Sequence, residues 1–227
     1  MPCQVAAVAK GFLPQNKESL YLVDIICHGV PSPKLWKEYI DFIENSNKKK
    51  IMKITMRDKS VGWRGFNTRI TFDDGEYVSN TREAKIFEYL FSSNLCLRPS
   101  CYECRYVEFN NQSDISIGDF WGIENICPEF EDKGGVSLIM VHTDKGRKLL
   151  EKTNKQIETI SVGTDIKLQH NVYYPTKKPE NREVFWNEYY KGGFRKLARK
   201  YTIYGNLLYI KSLLHKAKTL VLNILFK

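Results

Sequence analysis

Cys3 in Pro2-Cys3-Gln4, Cys27 in Cys27-His28-Gly29, and the pair Cys101-Tyr102-Glu103-Cys104 are the residues whose type and spacing could do chemistry. Thiolates are soft donors, and two intervening residues let both sulfurs of a CxxC pair reach one ion or two corners of a cluster. Joined by two distant thiols, the pair can close one site around either zinc or an iron–sulfur cluster. Zinc would hold the fold together; a cluster would move electrons. Taken alone, CxxC also fits a zinc half-site or a thioredoxin-like redox pair. The redox-pair reading is weakened because no helix begins at Cys101 to lower its pKa. Cys96, between Leu95 and Leu97, reads as a small buried apolar residue, while Cys127, before Pro128, fits either role.

Two further groups could meet a cofactor. Gly118-Asp119-Phe120-Trp121-Gly122 closes a strand with small and aromatic residues, which suits close approach to a planar ring; it equally suits a core Trp and Phe beside a tight turn. Arg57, Lys59 and Arg64 could hold a diphosphate, because the guanidinium fork matches phosphate oxygens. They read as readily as a solvated strand end. His28, beside Cys27, could tune a metal site or act as an acid, or could simply pack. No Ser-His-Asp set, P-loop or GxGxxG is recognisable.

The positioning elements follow from the pattern. Pro2 to Lys10 reads as a short helix ended by Gly11, which places Cys3 in its first turn, where the helix dipole favours a thiolate. Leu20 to Ile26 is an apolar run broken only by Asp24, the pattern of a buried strand, and delivers Cys27 to the strand's carboxyl end. Ser32 caps a helix with Pro33 at its first position and Leu35, Trp36, Tyr39, Ile40 and Ile43 on one face. Ile51 to Met56 and Thr68 to Phe72 read as strands, and Asp73-Asp74-Gly75 as a hairpin turn into Glu76 to Ser79. Glu83 to Phe91 is helical, Asp114 to Gly118 and Val136 to Val141 are strands, and a helix begins at Asp144. Helices are expected near Thr164 to Gln169, Asn181 to Tyr190 and Leu207 to Leu225, with Pro175 to Pro179 as a linker.

At 227 residues, 42% hydrophobic and 27% charged, the chain has the composition of a globular protein rather than a disordered one. No run of about 18 apolar residues spans a membrane, and the amino terminus lacks a secretion signal, so a cytoplasmic location is expected. The net charge of +9 is concentrated after residue 190. A basic amphipathic helix carrying Leu207, Ile210, Leu214, Ala217, Val221 and Ile224 could touch a membrane surface or grip a partner, or pack on its own domain. No signature of specific nucleic-acid binding accompanies the charge. The expected fold is α/β, with α+β as its variant: a mixed sheet flanked by helices, with a helical carboxyl end.

Several motifs in fixed order resemble the coenzyme F420 hydrogenase/dehydrogenase beta-subunit family. They are Pro2-Cys3-Gln4-Val5-Ala6-Ala7, the stretch Val23 to Pro33, Lys59 to Trp63, Leu97 to Cys104, and Ser113 to Gly122. The likeness is stronger to bacterial relatives encoded with capsule and exopolysaccharide genes. The likeness covers residues 2 to 153, with a weaker match over Phe185 to Tyr190, and implies an iron–sulfur flavoprotein. With the linker at Pro175 to Pro179 and the basic charge beyond it, the expected division is a domain over 1–174 and a helical basic extension over 175–227. The likeness further implies a [4Fe–4S] cluster on Cys3, Cys27, Cys101 and Cys104, and FAD, for which Arg57, Lys59, Arg64, Gly118, Asp119 and Trp121 are the candidates read from their own chemistry. Electrons would pass between flavin, cluster and a redox partner. Arg98 and Arg105, flanking the pair, would offset the charge of four thiolates. Family members carry an upstream ferredoxin-like segment before Pro-Cys-Gln. Met1 directly precedes Pro2 here, so the chain is expected to be the carboxyl-terminal portion, completed by a separately encoded fragment. The alternative carried beside this reading is a Cys₄ zinc module that acts as an interaction protein without catalysis.

Overall fold

The computed structural model describes residues 1–16, 19–107, 112–153, 156–163, 169–205 and 210. The expected helices near Thr164 to Gln169 and Leu207 to Leu225 lie outside these residues, apart from Gln169 and Ile210. The architecture is α/β, and the chain forms two compact units. One comprises residues 1–29 and 99–176, the other residues 30–98 and 177–227. No helix among the described residues is long and apolar enough to cross a membrane.

The first unit is built on a mixed three-stranded sheet. Strand β1 (Val23–Ile25) pairs in parallel with β5 (Ile115–Asp119), which pairs antiparallel with β6 (Ser137–Val141). Helix α1 (Pro2–Asn16) precedes β1, and the short α4 (Ile123–Ile126) lies between β5 and β6. Helix α5 (Asp144–Thr153) and α6 (His170–Tyr173) complete it. Gly11 does not end α1: it keeps right-handed dihedrals and the helix continues to Asn16. An interior glycine costs only about 1 kcal/mol relative to alanine, too little to stop a helix by itself.

The expected strand at Leu20 to Ile26 shrinks to three residues, and its burial is the reverse of an apolar core strand. Val23 and Ile25 are 44% and 46% exposed, whereas Asp24 between them is 2% exposed. The alternation of strand side chains sends the one polar residue inward, where it meets partners described below.

The second unit packs helices on an antiparallel meander, β2 (Ile51–Thr55), β3 (Arg69–Phe72) and β4 (Tyr77–Ser79). The expected hairpin is present: Gly75 takes φ +84°, the Gly75 N–H donates to the Phe72 carbonyl, and the Asp74 carboxylate accepts from the Glu76 N–H. Helix α2 (Pro33–Asn47) buries Leu35, Tyr39 and Ile43, one per turn, as its stripe predicts. Ser32 stands at its cap without a side-chain capping bond; its backbone N–H donates instead to the Cys96 carbonyl. Helix α3 is confined to Ile86–Ser92 and α7 runs Arg182–Tyr201, longer than expected, with its direction broken at Gly193 (φ +67°). Ile70, Phe72, Ile86, Phe87, Leu90, Phe185, Tyr189 and Leu197 close one core with the α2 stripe.

Candidate metal centre

The four motif cysteines all fall in the first unit. Cys3 sits in the first turn of α1, behind Pro2 at the position where a missing N–H costs nothing. Cys27 follows β1 by two residues, and Cys101 ends a short 3-10 turn (Pro99–Cys101), with Cys104 three residues on. Cys3 is exposed and the other three are half-buried. All six cysteines are free thiols.

The electrostatics of Cys27 tie these separate stretches together. Burial is the largest influence raising its pKa, and the charges of Cys101, Cys3 and Cys104 each raise it further; the Gly29 N–H, donating to its sulfur, is the one opposing influence. Each of the three thiols therefore stands within electrostatic reach of Cys27. Ligation is more demanding, since a zinc–sulfur bond is about 2.3 Å. Among the described residues no three or more His, Cys, Asp or Glu side chains are arranged closely enough to hold an ion. The two observations differ in reach rather than in substance: charge repulsion acts over several ångströms, coordination over one bond. The first puts each of the other three thiols within range of the Cys27 charge; a coordination sphere is not formed among the described residues.

The donor set fits a soft cation. Burial and the neighbouring thiols disfavour the thiolate of Cys27, and a metal ion bound there would replace repulsion with attraction and favour it. The two remaining cysteines are engaged elsewhere. Cys96, fully buried in the second unit, donates its thiol to the Leu90 carbonyl at 3.3 Å. Cys127, buried in the first unit, donates to the Glu129 carboxylate at 3.1 Å.

The six residues expected near a flavin divide between the units. Gly118, Asp119 and Trp121 belong to the first: Gly118 and Asp119 end β5 and Trp121 follows, 39% exposed. A β-carbon at Gly118 would stand 2.8 Å from Ile26 Cδ1, so packing against Ile26 is already a reason for a small residue there. Arg57, Lys59 and Arg64 belong to the second and share one loop. Arg57 donates to the Trp63 carbonyl at 2.8 Å and lies over the Phe66 ring, and Arg64 lies over the Trp63 ring. His28, beside Cys27, has its carbonyl capped by the Thr176 hydroxyl.

Sequence reasoning passed over one constellation. Asp24, Ser116 and His142 meet across β1, β5 and the end of β6, joined by side-chain hydrogen bonds. The only sequence signal was a lone acid within an apolar run.

Set against known proteins, residues 1–164 match the family model for the carboxyl terminus of the coenzyme F420 hydrogenase/dehydrogenase beta subunit. That span contains all four motif cysteines. No curated protein and no solved structure matches.

Proposed function

The chain belongs to the coenzyme F420 hydrogenase/dehydrogenase beta-subunit family, in its carboxyl-terminal part, and from that premise we propose that it is an electron-transfer subunit holding a [4Fe–4S] cluster on Cys3, Cys27, Cys101 and Cys104. The observation that carries the reading is that Cys101, Cys3 and Cys104, from two other stretches of the same unit, each act electrostatically on Cys27. A bound cluster would supply one-electron transfer, matched to a flavin that takes two electrons together and releases them singly.

The chain's own residues prepare that chemistry. The Gly29 N–H is directed at the Cys27 sulfur, the kind of hydrogen bond that tunes a ligated thiolate. Cys27, Cys101 and Cys104 are half-buried, which limits their contact with bulk water, and Cys3 is exposed. Arg57, Lys59 and Arg64 are assigned to the diphosphate of FAD, and Gly118, Asp119 and Trp121 to its ring. A redox partner protein and an upstream ferredoxin-like fragment complete the electron path in this reading, with capsule or exopolysaccharide biosynthesis as its setting and the cytoplasm as its location.

Anaerobic purification tests it. A brown protein with four irons and four sulfides, bleached by dithionite, is expected of a [4Fe–4S] protein. Cys101→Ser and Cys104→Ser should each lose iron and sulfide. A colourless protein with stoichiometric zinc would replace this reading with the structural Cys₄ module.

A further inference from the structure

Thr176 reaches the chain beside Cys27 from 148 residues away, with its hydroxyl donating to the His28 carbonyl. It is 4% exposed and shares the first unit with Cys27 and His28. It lies beyond residues 1–164, the span that matches the family, so no family motif announces it. The hydroxyl is itself held, because Asn171 Nδ2 donates to Thr176 Oγ1 at 2.9 Å. A hydroxyl owns one proton, and with the amide N–H on its oxygen that proton is left for the carbonyl. The turn that carries both residues is braced from within. The Tyr174 N–H donates to the His170 carbonyl at 2.9 Å, His170 Nε2 to the Pro175 carbonyl at 3.1 Å, and Val172 is buried.

What Thr176 grips is one end of a rigid plane. The His28 carbonyl and the Gly29 N–H are the two ends of one trans peptide unit, which is planar, so they point in opposite directions. The N–H end is the one directed at the Cys27 sulfur. Holding the carbonyl therefore sets the direction of the N–H, with no contact between Thr176 and the sulfur required.

Backbone sterics alone do not supply that hold. Gly29 takes φ +146°, a conformation that side chains with a β-carbon avoid. Glycine occupies both signs of φ about equally, so the His28–Gly29 plane can turn over unless something outside it restrains it. Ahead of Cys27 the chain is tied to the sheet, where the Ile26 N–H donates to the Ile117 carbonyl at 2.8 Å. Two residues on, the Thr176 hydroxyl supplies a second tie. Cys27 lies between the two.

We propose that Thr176 is a positioning residue for the metal centre: by gripping the His28 carbonyl it aims the Gly29 N–H of the same peptide at the Cys27 sulfur. Its consequence for electron transfer rests on the reading of Cys27 as a cluster ligand; its geometry does not. A hydrogen bond donated to a ligand sulfur draws negative charge from it and favours the reduced, more negative state. Loss of the Thr176 hydroxyl therefore lowers the reduction potential, although Thr176 touches no ligand atom.

The full chain carries the test in two independent readings. In the metal-free chain, hydrogen exchange followed by NMR should find the Gly29 amide protected. Thr176→Val keeps the side chain's shape and removes the hydroxyl, and the Gly29 amide should then exchange about five to ten times faster, the equivalent of one hydrogen bond. Thr176→Ser, which keeps the hydroxyl, should retain the protection. In the anaerobically purified, cluster-loaded chain, Thr176→Val should lower the midpoint potential by ~59 mV, a tenfold shift in a one-electron equilibrium, and Thr176→Ser should restore it. A threonine that only stabilises the fold would leave both readings unmoved. Equal Gly29 exchange in the Thr176→Val and unaltered chains would overturn the proposal, as would equal potentials in the two loaded chains. An unprotected Gly29 amide in the unaltered chain would overturn it without any variant, so a misfolded Thr176→Val chain does not spare it. An unaltered chain that holds no cluster would sink the electron-transfer reading, and the amide measurement would still decide the positioning.

Discussion

Gly146 of α5 approaches the backbone of Asp114 so closely that a β-carbon there would lie 2.3 Å from the Asp114 carbonyl oxygen and 3.1 Å from Ile115 Cγ1. Two effects oppose each other in Gly146→Ala. Helix propensity favours alanine by about 1 kcal/mol. The clash is with backbone, which cannot rotate aside, and overpacking of this kind costs about 1–3 kcal/mol. The variant should therefore be less stable, read as a lower urea midpoint with an unchanged denaturant slope. A midpoint at or above that of the unaltered chain would mean that α5 shifts freely.

Tyr39 offers a test of the second unit. Its ring is fully buried and its hydroxyl donates to the Ala84 carbonyl at 2.8 Å, tying α2 to the turn before α3. Tyr39→Phe keeps the ring and removes the donor, leaving a carbonyl without its partner. The expected loss is roughly 1–2 kcal/mol by denaturant unfolding. Cys-site properties should not change, because the substitution lies in the unit without the four thiols.

What could be read from the chain was what is local. The α2 stripe of Leu35, Tyr39 and Ile43 and the Asp73-Asp74-Gly75 turn depend on neighbours within a few residues, and both are found as expected. The family motifs, each a short contiguous string, likewise pointed to the family that the match over residues 1–164 shows. The sheet was harder. β1 and β5 are joined in space by residues 92 apart in sequence, so nothing near Asp24 announces Ser116, and the acid reads as a flaw in an apolar strand. The expectation of a mixed sheet is met by β1, β5 and β6, but β2 to β4 form a second, antiparallel sheet. The route of the chain, which leaves the first unit after Gly29 and re-enters at Pro99, is marked there only by a glycine and a proline, which stand at ordinary turns as well.

Glu88 makes stability of the second unit depend on pH. Burial raises its carboxyl to about 7, with only partial relief from Lys85 and Thr68, and its Oε2 atom has no hydrogen-bond partner. The folded state therefore holds a proton that the unfolded state, near the ordinary value of 4.5, has already lost. Stability is fully present below the unfolded value and falls as pH rises through the folded one. The loss is on the order of 2 kcal/mol after allowing for residual hydration. Glu88→Gln should flatten this dependence and unfold at higher urea than the unaltered chain on the alkaline side. Parallel pH profiles for the two chains would show that another group sets the slope.

Cys96 separates a structural thiol from a ligand without removing a metal. Burial pushes its thiol up to about 12, and the Leu90 carbonyl accepts its proton. At pH 8 the reactive thiolate is then only about one part in ten thousand, and no alkylating reagent reaches a fully buried sulfur. In the folded, metal-free chain, iodoacetamide should modify exposed Cys3 first and leave Cys96 untouched until unfolding. Loading with iron and sulfide should then protect Cys3, Cys27, Cys101 and Cys104 together and change nothing at Cys96. Cys96→Ser should keep the full metal content and lose roughly 1–2 kcal/mol of stability, the cost of a more polar group in an apolar pocket. Loss of iron in that variant would mean that Cys96 is itself a ligand.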